Sequence, residues 1–156
     1  MTTTAATTTP PAPAPRPKPV QTPLTLIMTL KSAQAYEDLN ATLQKFASMP
    51  DAENPIIQAM DAVGTVHFAR FVFLDQTRLA VITTFDGDLN TYLEDFAAKI
   101  GNVFDLLNAH MVDAPPAPVK EHPAEFLAYV QKNNLATLGF YSAYPTKTVL
   151  DIVNEG

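Results

Sequence analysis

Thr65–Leu89 reads TVHFARFVFLDQTRLAVITTFDGDL, and its two dense apolar runs decide the fold. Val66–Leu74 and Leu79–Phe85 are rich in Val, Ile, Phe and Thr, and Asp75-Gln76-Thr77-Arg78 separates them. Runs of this length bounded by turn residues predict two strands of a hairpin. Asp86-Gly87 then marks a turn into a helix that starts at Asp88 and runs to about His110. In that helix Leu89, Tyr92, Leu93, Phe96, Ile100, Phe104 and Leu107 form one apolar stripe at helical spacing.

Upstream, Leu24–Leu30 alternates as a first strand with apolar side chains on both faces. Ser32 offers a cap for a helix over Ala33–Phe46, and Asn54-Pro55 opens a shorter one that Gly64 ends. Downstream, Asp113–Pro118 is an extended crossing, and His122-Pro123 opens a helix to about Asn133. Leu135–Ala143 is expected as the last strand, and Pro145–Val153 as a short helix or extended tail. The order strand, helix, two strands, helix, strand, with an extra helix before the last strand, predicts an α+β domain. Its form is the ferredoxin-like βαββαβ unit, an antiparallel four-stranded sheet with helices on one face. Because the strands are apolar on both faces, the open face needs cover, and a second copy of the chain is the simplest source.

Met1–Thr22 differs from everything after it. It is a Thr/Ala/Pro tail with prolines at 10, 11, 13, 15, 17 and 19, so it is expected to stay extended and outside the core, leaving 23–156 as a single domain. A Pro-recognising protein partner is the functional alternative to a plain disordered tail, with Arg16 and Lys18 assisting.

The chain has 156 residues, 47% of them hydrophobic, enough for one domain with a proper core. Net charge is −6, and because the first 21 residues hold Arg16 and Lys18 but no acid, the remainder carries −8. Nucleic acid is therefore set aside as a partner, since phosphate contacts need clustered Lys and Arg. Zero cysteines exclude disulfides and thiolate chemistry. No secretory core or bilayer-length apolar run is legible, so the expectation is a soluble, cytoplasmic protein with no membrane contact.

The element order, the two-sided apolar strands and the long helix after Asp86-Gly87 resemble the dimeric α/β-barrel superfamily over about Leu24–Ala143. The resemblance implies a homodimer of face-to-face sheets with one pocket per subunit. Cofactor-free monooxygenases, haem-degrading enzymes, chlorite dismutases and dye-decolourising peroxidases are members, as are proteins without known activity. Thr83-Thr84-Phe85-Asp86-Gly87 is similar to the peroxidases' GxxDG motif, with Thr83 where the first glycine would stand. On that likeness Asp86 is a candidate catalytic residue and haem a candidate cofactor.

Residue chemistry adds further candidates. Arg70, in so apolar a strand, suits a carboxylate or oxyanion, and its structural alternative is an ion pair or a solvent-facing role. It is the second catalytic candidate. His67 is a candidate base or ligand, or else a satisfied core residue. Thr84 and Tyr141 join Arg70 and His67 as ligand-binding candidates, with Tyr144 beside Tyr141. No metal site is expected, although His67 or His110 would serve as axial ligand if haem binds, and His122 reads as a helix cap.

Strict alternation places His67 with Ala69, Phe71 and Phe73, opposite Arg70. A three-residue hairpin loop puts Arg70 with Arg78, Ala80, Ile82 and Thr84, whereas a four-residue loop pairs it with Leu79, Val81 and Thr83. The functional expectation is a dimeric barrel protein holding a haem-like or aromatic molecule in an apolar pocket, with oxidative chemistry as its candidate activity. The alternative is a non-catalytic dimerising accessory module that docks on a larger assembly through its Pro-rich arm.

Overall fold

In a computed structural model, residues 8–156 are described. The first seven residues of the Thr/Ala/Pro tail lie outside them. The hairpin forms as β2 (Val66–Asp75) and β3 (Arg78–Asp86), and β3 pairs on its other side with β1 (Gln21–Thr29). All pairings are antiparallel, giving a three-stranded sheet of order β1-β3-β2. Arg70 faces Ile82, Val72 faces Ala80 and Phe68 faces Thr84, which is the register expected of the shorter loop.

The turn has a clear chemical cause. One carboxylate oxygen of Asp75 accepts from the Thr77 backbone N–H at 2.8 Å and from the Thr77 hydroxyl at 2.6 Å; the other accepts from Arg78 at 2.8 Å. The Thr77 and Arg78 hydrogen bonds hold the Asp75 carboxyl well below the usual carboxylate range.

Five helices complete the described chain: α1 (Ala33–Ala47), α2 (Pro55–Val63), α3 (Leu89–Asn108), α4 (Pro123–Asn133) and α5 (Val149–Asn154). Their starts follow the local chemistry. Ser32 accepts from the Ala35 N–H, Asn54 accepts from the Ile56 and Ile57 N–H groups, and Asp88 accepts from the Thr91 N–H. The Thr91 backbone bond, followed by its hydroxyl, lowers the Asp88 pKa. Gly64 ends α2 in the left-handed region at φ 69°, where a side chain is strained. His122 precedes α4 without making a side-chain capping bond, which corrects its expected role; its ring lies 4.0 Å from Glu125.

The first four helices cover one face of the sheet. That face carries Leu24, Leu26, Met28, Leu79, Val81 and Phe85, all essentially inaccessible. From Phe85 a row of touching aromatics passes through Tyr92, Phe96, Phe104 and Phe126, with successive ring centroids 3.9, 5.7, 5.0 and 4.8 Å apart. α3 breaks its regular path at Ile100 (φ −142°), next to Gly101, whose missing side chain admits Val119. Among the described residues no helix is long and apolar enough to cross a membrane.

The expected fourth strand is absent: Leu135–Ala143 runs without ladder pairing, so the ferredoxin-like order stops one strand short. Pairing does begin, with a bridge between Leu26 and Asn134 and a bond from the Leu135 N–H to the Thr25 carbonyl at 2.8 Å. The Thr25 N–H that would return that bond donates instead to Asn134 Oδ1 at 3.1 Å, and Pro23, the next outward-facing position on β1, has no N–H to donate, so the ladder stops. The chain instead leaves β1 and crosses the end of the sheet's uncovered face before forming α5.

Candidate functional site

That crossing encloses a cleft of about 470 Å³ against the sheet. Phe68, His67 and Thr84 form its wall on the sheet side, while Phe140, Tyr141 and Tyr144 close it from the crossing. The crossing is tied down at several points. Gln21 donates from Nε2 to the Tyr144 carbonyl at 2.9 Å and to the Lys147 carbonyl at 2.5 Å. The Val20 N–H donates to the Pro145 carbonyl at 2.8 Å, and the Val149 N–H donates to Asp86 Oδ2 at 2.8 Å. Because both Gln21 bonds are made by its amide nitrogen, Oε1 is left buried without a partner beside the cleft.

His67 reaches the cleft through an irregularity in β2. Val66 faces Phe85 and Phe68 faces Thr84, so the register shifts by one and His67 has no directly opposed residue. Such a bulge re-aims its side chain. Strict alternation assigned His67 to the helix-covered face; with the shift it lines the cleft together with Phe68 and Thr84.

The imidazole is braced from behind. Its Nε2 lies 2.7 Å from Asp86 Oδ1, and the two side chains are only 9% and 12% exposed. Asp86 thus holds both His67 and the first residue of α5. An ionised carboxylate only accepts hydrogen bonds, so the proton of a neutral imidazole resides on Nε2 and leaves the Nδ1 lone pair free. Nδ1 has no bonding partner among the described residues.

Three of the four ligand-binding candidates, His67, Thr84 and Tyr141, therefore meet at one cleft. The fourth does not join them. Arg70 is exposed on the same uncovered face, further along the sheet opposite Ile82, and forms no ion pair among the described residues. Asp86 lies behind His67 rather than in the cleft lining. His110 lies beyond the end of α3, its Nδ1 3.0 Å from the Leu106 carbonyl, and its own carbonyl accepts from the Lys31 N–H just past β1. His67 lies near the opposite end of the sheet, level with Thr22 and Pro23, roughly 25–30 Å along the strands at about 3.3 Å per residue, so the two histidines do not share a site.

Sequence reasoning missed Gln21 and Phe68, which belong to the lining, and read Arg16 only as an aid to a Pro-recognising partner, whereas it contacts Ser142 and Tyr141 of the crossing. Arg16 donates to the Ser142 carbonyl at 2.7 Å and its guanidinium lies 4.7 Å from the centre of the Tyr141 ring. Gln21 was readable as the first polar residue before an apolar strand; nothing in the sequence announced its carbonyl partners 123 and 126 residues away.

The donor set argues against haem. The cleft offers one imidazole, but no Arg or Lys lies among its lining residues to meet the two propionates. The nearby guanidinium of Arg16 is already engaged with Ser142 and Tyr141. What the walls suit is a flat apolar body, with a hydrogen-bond donor or acceptor at its edge. No protein-family model, curated protein or solved structure matches the chain.

Proposed function

We propose that this protein binds a neutral, planar aromatic molecule in the cleft between the sheet and the C-terminal crossing. The observation that carries this reading is the convergence of His67 and Thr84 from the β2–β3 hairpin and Tyr141 from the C-terminal crossing on one aromatic-walled cavity. Phe68, Phe140 and Tyr144 supply flat apolar surface, and the braced imidazole supplies a fixed polar contact. A second copy of the chain is proposed to cover the rest of the open face. There Phe68 is 76% exposed and Val72 and Leu74 are exposed beside Arg70, more apolar surface than one strand ordinarily leaves to water.

Native mass spectrometry of the protein purified from its own host tests both parts. The expected result is a dimer carrying a discrete extra mass of an aromatic compound. A protein without an adduct that also fails to bind 8-anilinonaphthalene-1-sulfonate would reject the binding site. A monomer at all concentrations would reject the second copy.

A further inference from the structure

The orientation of the His67–Asp86 pair carries more than binding. A histidine held by a carboxylate at 2.7 Å, with both side chains nearly inaccessible and the ring bordering a cavity, has one nitrogen occupied and one available. The carboxylate is itself fixed, since its second oxygen accepts the Val149 N–H at 2.8 Å. It therefore selects the tautomer with the proton on Nε2 and stabilises the imidazolium that forms when Nδ1 takes up a second proton. The bulge that frees His67 from the ladder is the kind of irregularity that aims a side chain at a site.

We propose that His67 is a general base, its Nδ1 accepting a proton from an acidic C–H, N–H or O–H of a neutral aromatic substrate in the cleft. This rests on the binding reading above. In the step, the substrate's bond to hydrogen breaks, its electron pair stays with the substrate, and a new N–H bond forms at Nδ1. The positive charge that appears on the ring faces Asp86, a positioning residue, and the proton later passes to water. No oxidant or reductant takes part. The other titratable groups around the ring are Asp61 of α2, which borders a small hollow shared with His67, and Tyr141 and Tyr144 of the crossing.

The test uses 5-nitrobenzisoxazole, a flat, uncharged aromatic that reports on bases in apolar surroundings. Loss of its ring C–H proton turns the C–H pair into the third bond of a nitrile as the N–O bond opens, and the coloured phenolate that leaves is followed by absorbance. Affinity is measured separately, by displacement of 8-anilinonaphthalene-1-sulfonate from the full chain.

The expected outcome is displacement together with a rate about 100-fold or more above that of free imidazole at equal concentration. His67→Gln should abolish the excess. Asp86→Asn keeps an oxygen for Val149 but offers an amide to Nε2, which inverts the tautomer. It should lower the rate at least about 10-fold while the displacement constant stays put. A His110→Gln/His122→Gln double variant, in which His67 is the sole imidazole, should retain the full rate; it keeps the test decisive if His67→Gln does not fold. Displacement without turnover, or turnover that survives His67→Gln or is lost in the double variant, overturns the general base and leaves the binding site standing. Absence of displacement overturns both.

Discussion

The two faces of the sheet are built from the same strands and share almost nothing else. On the helix-covered face Leu24, Leu26, Met28, Leu79, Val81 and Phe85 are sealed. On the other, Thr25, Ile27, Ile82 and Thr84 are half-buried, and Phe68, Arg70, Val72 and Leu74 are exposed. Alternation forces this division: residues one apart along a strand belong to opposite faces, so one face can be sealed while the other carries half-buried and exposed side chains. The covered face holds the protein together; the open face, with its crossing, contains the only His–carboxylate pair under 3 Å among the described residues.

The largest effects should therefore come from the sealed side. Phe85→Ala removes a ring that no water reaches and that stacks on Tyr92 at 3.9 Å. It should cost about 3–5 kcal/mol in urea unfolding. Phe68→Ala removes the same side chain from the open face and should change the stability of a dilute sample by no more than about 0.5 kcal/mol. A large loss at Phe68 that grows with protein concentration would show that the open face is covered in solution, and would sharpen the case for a second copy.

Next in size is the joint between the two sides. Asp86→Ala strips the partner from the His67 ring and from the Val149 N–H together. Bonds to a charged acceptor are worth about 1.5–3 kcal/mol each when shielded from water. A loss of about 3 kcal/mol, the lower end for two such bonds, is expected, with hydrogen exchange accelerating first in α5 and the crossing while the amides of β3 stay protected. Uniform acceleration through the sheet would break the comparison, because it would mean that the crossing is part of the core.

Gly101→Ala probes how tightly the sealed side is packed. A methyl group there would come within 2.8 Å of Val119 Cγ2, and Val119 is fully buried with nowhere to move. Overpacking of this kind costs about 1–3 kcal/mol. A neutral result by thermal melting would place slack in the α3 break at Ile100.

Much of this was legible from residue order alone. The hairpin, the caps at Ser32, Asn54 and Asp88, the stop at Gly64 and the stripe of α3 all follow from short-range chemistry, which a sequence displays directly. The α+β class followed from them. Failure came where a single backbone atom decides the outcome. Leu135–Ala143 has a strand's composition, but on the β1 edge it would pair with, the Thr25 N–H goes to the Asn134 side chain and Pro23 has none to give, and both facts are visible only once the two segments are known to be adjacent. His67 obeys alternation on paper and escapes it through a one-residue shift. The same shift explains why His67 and Thr84, which the short-loop register with strict alternation would put on opposite faces, line one cleft. Arg70 stands out in the sequence as a charge amid apolar neighbours, but on the edge strand β2 its side chain is exposed in the single chain and forms no ion pair among the described residues.

The smallest expected effect is also the most specific test of the sealed side, because it concerns a polar atom placed there. The Tyr129 hydroxyl on α4 is buried and has no hydrogen-bond partner. Burial, reinforced by the charge of Asp113, pushes its pKa up to about 12. In the unfolded chain the phenol ionises near pH 10, so between those two values the folded state binds the extra proton and stability falls as pH rises. Below pH 10 the contribution is fully present; above about 12 it is gone. Tyr129→Phe keeps the ring and deletes the unpaired oxygen, so it should leave stability at pH 7 within about 0.5 kcal/mol of the parent or slightly above it. It should also flatten the decline between pH 10 and 12 seen in alkaline urea titrations, without abolishing it, since Tyr92, likewise raised by burial, contributes to the same fall. A marked loss at neutral pH would instead show that the hydroxyl is satisfied by an internal water, and that the covered face is less dry than its apolar lining indicates.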